Sequence, residues 1–162
     1  MRPGVSLRIL LGVTLVLAAL APSAGAVEAT VFLSRATPSD TWGSGGGGAL
    51  SITLFELGGV EVEGARQSLK SGEGNIVSLS GRAFVAPSFG KFVPYGGLSM
   101  GVRRETLRSQ DDWGTMSGVF VGLKLKLPLG LRARVEYQWV HLPSDALVPM
   151  DSRYYGGVGL GF

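Results

Sequence analysis

The sequence predicts an all-β protein, an eight-stranded antiparallel up-and-down transmembrane β-barrel. Three observations predict it: apolar and polar residues alternate with period two, eight segments do so, and long connections alternate with short ones. Because a strand directs successive side chains to opposite faces, each segment has one apolar and one polar face. A meander that crosses a membrane has tight turns on one side and longer loops on the other.

The first 26 residues predict a signal peptide that is removed on export. They carry Arg2 and Arg8 and no acidic residue, run apolar from Ile9 to Ala21, and end in an Ala-Gly-Ala tripeptide. A basic start, an apolar stretch and a small-residue end are typical of a secretory signal. The apolar stretch is shorter than the ~20 residues of a spanning helix. We therefore expect cleavage after Ala26 and a barrel domain over residues 27–162.

Composition and charge argue against three features: a disulfide framework, a thiolate metal site and nucleic-acid binding. The chain has 162 residues, a formal net charge of +3 and no cysteine, so a disulfide framework and a thiolate metal site are excluded. Removal of the signal peptide takes away two arginines and no acid, which lowers the net charge from +3 to +1. Nucleic-acid binding needs a basic surplus on one face. We expect no nucleic-acid partner, no cofactor and no metal.

The first four predicted strands show alternation of modest contrast. They are 27–34, with Val27, Ala29, Val31 and Leu33 on the apolar face; 49–56, with Leu50, Ile52 and Leu54; 60–67, with Val60 and Val62; and 75–85, with Val77, Leu79, Ala83 and Val85. The third is the weakest, because only two apolar positions support it. The opposite faces of these strands are polar.

The last four predicted strands show stronger contrast. They are 92–104, with Leu98, Met100 and Val102 on the apolar face; 118–127, with Val119, Val121, Leu123, Leu125 and Leu127; 131–140, with Leu131, Ala133, Val135, Tyr137 and Trp139; and 153–162, with Tyr154, Val158, Leu160 and Phe162. Aromatic residues near the strand ends are typical of the girdles of membrane barrels.

The connections between strands fall into two classes. Long ones, at 34–48, 68–74, 105–115 and 141–152, alternate with short ones at 57–59, 86–91 and 128–130. The glycine run Gly43–Gly48 lacks the Lys-Ser/Thr of a phosphate-binding loop, and we interpret it as a flexible external loop. We expect Asp111, Asp112 and Trp113 in a solvated loop tip.

Eleven charged residues on the polar faces predict the lining of a filled lumen. They are Glu28, Glu61, Glu63, Arg82, Arg103, Lys124, Lys126, Arg132, Arg134, Glu136 and Arg153. Eight strands leave an interior just wide enough for side chains, so we expect arginine–glutamate pairs to plug it. Two alternatives stay open. Surplus positive charge could form a narrow anion path, or the polar faces could meet water in a soluble sandwich or lipocalin-like barrel.

The sequence resembles the small eight-stranded outer-membrane barrels of Gram-negative bacteria, of the OmpX and OmpA transmembrane-domain type. Three segments carry the resemblance: Pro94–Val102, Leu131–Val140 and Arg153–Phe162. The alternating residues at the end of the chain resemble their assembly signal; they are Tyr154, Val158, Leu160 and Phe162. The resemblance implies an outer-membrane location and insertion by periplasmic chaperones and the barrel-assembly machinery. It also implies contact with outer-membrane lipid and lipopolysaccharide, but no single activity.

Three functions follow as hypotheses. The first is a non-enzymatic structural or surface-interaction role, in which the external loops contact a ligand that the sequence does not name, and Arg103, Arg104 and Arg108 contact lipopolysaccharide phosphates. The second is a lipid-modifying hydrolase that uses His141 and Ser144, although the three-residue spacing with a proline between them breaks strand geometry. The third is a conduit for small solutes.

Overall fold

The computed structural model describes residues 27–37, 41–54, 57–108, 110–143, 146–147 and 150–162, and these form one closed barrel. Its strands are β1 (Val27–Thr37), β2 (Trp42–Leu54), β3 (Gly58–Leu69), β4 (Gly74–Val85), β5 (Phe92–Leu107), β6 (Gln110–Lys126), β7 (Leu131–His141) and β8 (Ser152–Gly161). Each pairs antiparallel with the next in sequence. The predicted fold class and strand order are confirmed. The predicted signal peptide, residues 1–26, lies outside the described residues.

The barrel closes where β8 pairs with β1. The register runs from Glu28 opposite Gly161 to Thr37 opposite Ser152. Beyond that ladder, the Val27 amide donates to the Phe162 carbonyl at 3.2 Å, and the Phe162 amide donates to the Val27 carbonyl at 2.8 Å. Val27 and Phe162 therefore meet at one end of the barrel, and we call the opposite end the outer end.

The glycine run Gly43–Gly48 is part of β2, so its interpretation as a flexible loop is wrong. Its backbone pairs with both β1 and β3. The ladder needs only backbone groups, and the absent side chains allow close approach. A Cβ on Gly47 would lie 2.1 Å from the Gly64 carbonyl oxygen and 2.8 Å from the Phe32 ring. Glu56, the end of the second predicted strand, lies outside the described residues.

The hairpin of β5 and β6 extends well beyond its predicted ends. Pairing continues to Leu107 opposite Gln110. Asp111, Asp112 and Trp113 therefore lie in β6, and the prediction of a loop tip for them is wrong. Cross-strand contacts explain the extension: the Arg104 guanidinium donates to Asp111 at 2.5 Å and lies 5.9 Å from the Trp113 ring.

The predicted alternation of long and short connections is also wrong. The connections at 38–41 and 70–73, at the outer end, are as short as the connection at 127–130, which lies at the opposite end of the barrel. Of the four predicted long loops, only residues 142–151 remain long. The other three are shorter than predicted because the strands on either side extend into them.

The apolar strand faces point outward and the charged faces point inward. Leu33 is 78% exposed and Met100 75% exposed, whereas the Glu28 side chain on the opposite face of β1 is 1% exposed. The described residues contain no helix that is long and apolar enough to cross a membrane.

Candidate functional site

The barrel interior contains as many buried acidic as buried basic side chains among the described residues. The acidic ones are Glu28, Glu61, Glu63, Glu105 and Glu136, and the basic ones are Arg82, Arg103, Lys124, Arg134 and Arg153. They come from seven of the eight strands and meet because alternate residues of every strand point inward. The formal charges of this set cancel.

Arg82 on β4 is the centre of the interior. Its Nη1 donates to Glu61 at 2.6 Å and to Glu63 at 2.7 Å, and its Nη2 donates to Glu136. The Tyr155 hydroxyl accepts from the same Nη1 at 2.8 Å. The guanidinium carbon lies 3.7 Å from the centroid of the Phe120 ring. One guanidinium therefore joins carboxylates from β3 and β7.

Arg134 on β7 forms a second centre beside the first. It donates two hydrogen bonds to Glu61, at 2.6 Å and 2.9 Å, and one to Glu136 at 2.8 Å. The Tyr95 hydroxyl accepts from Arg134 at 2.7 Å and donates to Glu136 at 2.8 Å. Paired donors of this kind are the geometry in which arginine and carboxylate bind most strongly.

Arg153 on β8 extends these contacts toward the outer end. It donates to Glu63 and, at 2.6 Å, to the Gln138 side chain. The Gln138 amide donates in turn to Ser99 at 2.9 Å. We call the whole set the central network, and it consists of Glu61, Glu63, Arg82, Tyr95, Arg134, Glu136, Gln138, Arg153 and Tyr155.

Glu28 lies below the central network, nearer the end where Val27 and Phe162 meet. It accepts from Lys124 at 3.0 Å and from Arg132 at 2.9 Å. The Arg132 side chain is 19% exposed and so lies partly at the barrel opening. Lys126 is a correction to the predicted interior set: it is exposed at this end, and its ammonium donates to Ser88 at 2.8 Å.

Glu105 lies above the central network and was predicted in a loop. Its carboxylate accepts from Arg103 Nε at 2.7 Å and from the Leu147 amide at 2.7 Å. It therefore ties the connection between β7 and β8 to the barrel wall. Only the extra length of β5, which the sequence pattern does not show, turns Glu105 inward.

An apolar cluster closes the outer end above this pair. We call it the mouth cluster, and it consists of Ala36, Trp42, Leu69, Ile76, Met116, Val140 and Met150. Trp42 is fully buried, and Met150 comes from the connection that Glu105 also holds. A second apolar cluster, which includes Phe84, Val93 and Phe120, packs near the other end. Apolar side chains thus lie on both sides of the buried charges.

The residues that were predicted to act on the outer surface of the barrel differ in where the structure places them. Arg103 points inward, so its prediction as a lipopolysaccharide contact is wrong. Arg104 and Arg108 are exposed and pair with Asp111 and Glu73. His141 ends β7 with an exposed side chain, whereas Ser144 lies outside the described residues. The residues of the predicted assembly signal, Tyr154, Val158, Leu160 and Phe162, are all exposed on the outer face.

Several solved structures that are similar to this one are small outer-membrane barrels. The N-terminal β-barrel domain of Pseudomonas aeruginosa OprF matches with a TM-score of 0.61 at 19% identity, over 85% of this chain and 97% of that one. Neisserial surface protein A matches with a TM-score of 0.65 at 14% identity, over 85% and 96%. Ail of Yersinia pestis matches with a TM-score of 0.54 at 13% identity, over 86% and 99%.

Sequence comparison adds nothing to this likeness: no protein-family model matches the chain, and no curated protein does. At these identities the structural likeness establishes the fold. The chain has the fold of the small eight-stranded outer-membrane β-barrels, as its sequence predicts.

Proposed function

We propose that the chain is an integral outer-membrane barrel of a Gram-negative bacterium that does not conduct and acts in the membrane or at the cell surface. Lipid and lipopolysaccharide contact its outer wall, and periplasmic chaperones and the barrel-assembly machinery insert it. The observation that carries this proposal is that, in the part of the chain that the structure describes, the interior contains five buried acidic and five buried basic side chains. Because these charges are already paired with one another, the lumen binds a passing ion only weakly.

The pairing is what opposes conduction. Each carboxylate of the central network accepts from at least two donors, and Arg82 alone serves three carboxylates. An ion that crosses must displace these contacts, and removing one partner from a buried pair costs about 3–5 kcal/mol. The mouth cluster adds an apolar layer in which an ion has no ligand. The balance also argues against the anion path, which needs a surplus of positive charge.

The surface role follows from where polar side chains become exposed. The paired ends of β5 and β6 carry the exposed side chains of Arg104 and Asp111 beyond the apolar part of the wall. Arg35 and Arg66 face outward on β1 and β3, near the outer end. Arginine geometry suits phosphate oxygens, so this level of the wall fits the phosphates of lipopolysaccharide.

Electrical recording tests the non-conducting proposal. We expect the purified chain, folded in detergent and placed in a planar lipid bilayer, to give no steady single-channel current. The control for correct folding is electrophoresis in dodecyl sulfate with and without boiling, in which a closed barrel migrates differently until it is boiled. Steady current from protein that shows this shift would contradict the proposal. Protein that shows no shift and stays soluble without detergent would contradict the membrane barrel itself.

A further inference from the structure

A small internal cavity lies in the lumen between the central network and the mouth cluster. Its volume is about 20 Å³. Ile76, Met116, Val140 and Met150 of the mouth cluster line one side of it, and Arg153 of the central network lines the other. One water molecule needs about 10–15 Å³ of such space, so the cavity has room for one water or one monatomic ion.

A buried donor beside this cavity has no partner. Arg153 is 4% exposed, and its Nη2 donates to Glu63 and Gln138. Its Nε has no hydrogen-bond partner among the described residues, and neither has the Nε of Arg82, which does not line the cavity. A buried N–H of a charged group is costly to leave unpaired. We therefore expect the cavity to hold a group that accepts from Arg153.

Two other polar side chains of the lining add further donors. Arg103 donates from Nε to Glu105 and from Nη1 to the Thr115 carbonyl, which leaves its Nη2 without a partner among the described residues. The Ser78 hydroxyl also lines the cavity and hydrogen-bonds to no described residue, so it can donate as well. Two guanidiniums and one hydroxyl thus have donors to spare at the same small space.

Acceptors are scarce in the same lining. None of the described residues that line the cavity is acidic. The Gln67 side chain already accepts from Ser34 at 2.9 Å and donates to the Gly43 carbonyl at 2.8 Å. A water molecule brings two hydrogens that need acceptors, whereas a halide ion only accepts hydrogen bonds. A lining of donors that includes two positive charges therefore favours an anion over water.

We propose that this cavity binds one halide ion, such as chloride, through Arg103, Arg153 and Ser78. We call the site of these three residues the arginine pocket. The arginines keep their carboxylate partners, Glu105 and Glu63, because the ion uses nitrogens that those hydrogen bonds leave free. A space for one monatomic ion excludes phosphate and sulfate, each of which has four oxygens.

The charge of the interior also permits one bound anion. Among the described residues, the five buried acidic and five buried basic side chains cancel, and Arg132 adds one positive charge where it shares Glu28 with Lys124. One halide makes this total neutral. The site goes beyond the structural role and is not an anion path, because the mouth cluster lies above it and the central network below it.

Anomalous diffraction tests where the ion binds. We expect crystals of the full mature chain, folded in detergent with sodium bromide so that the ion enters before the barrel closes, to show a bromide peak between Arg103 and Arg153. Density for a water in the arginine pocket without an anomalous signal would overturn the proposal. Bromide at exposed side chains alone would also overturn it, as an adventitious ion only.

Urea unfolding in lipid vesicles tests whether the ion stabilises the fold. A ligand that binds only the folded state raises the ratio of folded to unfolded protein about 100-fold at roughly 100 times its Kd. Sodium gluconate keeps the ionic strength constant, and gluconate is too large for the arginine pocket. We therefore expect the urea midpoint, followed by tryptophan fluorescence, to rise as chloride replaces gluconate.

Two serine variants separate binding in the arginine pocket from a general effect of salt. Ser78→Ala removes one donor and is expected to raise the Kd for chloride about tenfold, so that its midpoint responds less to chloride. Ser80→Ala is the matched control, because Ser80 is the next inward residue of β4, is buried, and does not line the cavity. It is expected to respond as the wild type does. The proposal is wrong if both variants respond equally, or if chloride does not raise the wild-type midpoint above that in gluconate.

Discussion

Replacing Arg82 with alanine is expected to destabilise the folded barrel by about 3–5 kcal/mol, more than any other single charge removal in the chain. The reason is the number of carboxylates left behind. Arg82 contacts Glu61, Glu63 and Glu136, and all of these side chains are buried. Without the guanidinium, three negative charges lie close together with fewer donors in a medium of low dielectric.

Arg104→Ala is the matched control for this substitution. Arg104 also pairs with a carboxylate, at 2.5 Å, but its side chain is 48% exposed and that of Asp111 is 45% exposed. Exposed pairs contribute about 0–1 kcal/mol. We expect Arg82→Lys to restore only part of the loss, because an ammonium is a point charge that cannot reach three carboxylates as a planar fork does.

The measurement is urea unfolding in lipid vesicles, followed by tryptophan fluorescence and by the electrophoretic shift on boiling. The alanine variant at position 82 is expected to unfold at a much lower urea concentration than the wild type, and the variant at position 104 close to it. Equal midpoints for the two variants would show that the central network contributes nothing beyond an exposed pair.

The sequence predicts the faces of the barrel well because facing depends only on periodicity. Glu28, Arg82 and Arg134 point inward for the same reason that Leu33 and Val135 point outward: the side-chain period of a strand is two. This signal needs a contrast between the two faces. In the outer parts of β5 and β6 both faces carry polar side chains, such as Arg104 outward and Glu105 inward, so the contrast disappears and these parts were predicted as loop.

Which residues lie opposite each other on neighbouring strands depends on the pairing register, and the register cannot be derived from periodicity alone. Ser117 opposite His141 lies one residue beyond the predicted ends of both strands, which pair from Ser117 to Lys126 of β6. The predicted pair of His141 with Ser144 used sequence proximity instead. Glu105 was missed for the related reason that its strand was predicted to end at residue 104. Candidate sites between strands therefore need the paired strand lengths before they can be found.

Replacing Gly122 with valine is expected to destabilise the barrel by roughly 3–5 kcal/mol, although valine favours strands. Gly122 pairs with Tyr95 across β5 and β6, and the ring folds over the glycine. A Cβ there would lie 2.4 Å from the Tyr95 ring and hydroxyl and 2.6 Å from the Val135 carbonyl oxygen. The ring cannot move without giving up its hydrogen bonds to Arg134 and Glu136, and the carbonyl belongs to a paired strand.

Gly64→Val separates this packing effect from strand propensity. Gly64 lies in the middle of β3 on the outward face, and a Cβ there would have nothing within 4 Å. Glycine inside a strand costs about 0.5–1 kcal/mol relative to alanine, so valine at this position is expected to stabilise the barrel by a similar amount. The two substitutions are chemically identical and should shift the urea midpoint in opposite directions. Stabilisation by Gly122→Val as well as by Gly64→Val would mean that Tyr95 is not held against β6, and that the central network does not depend on the space that Gly122 leaves.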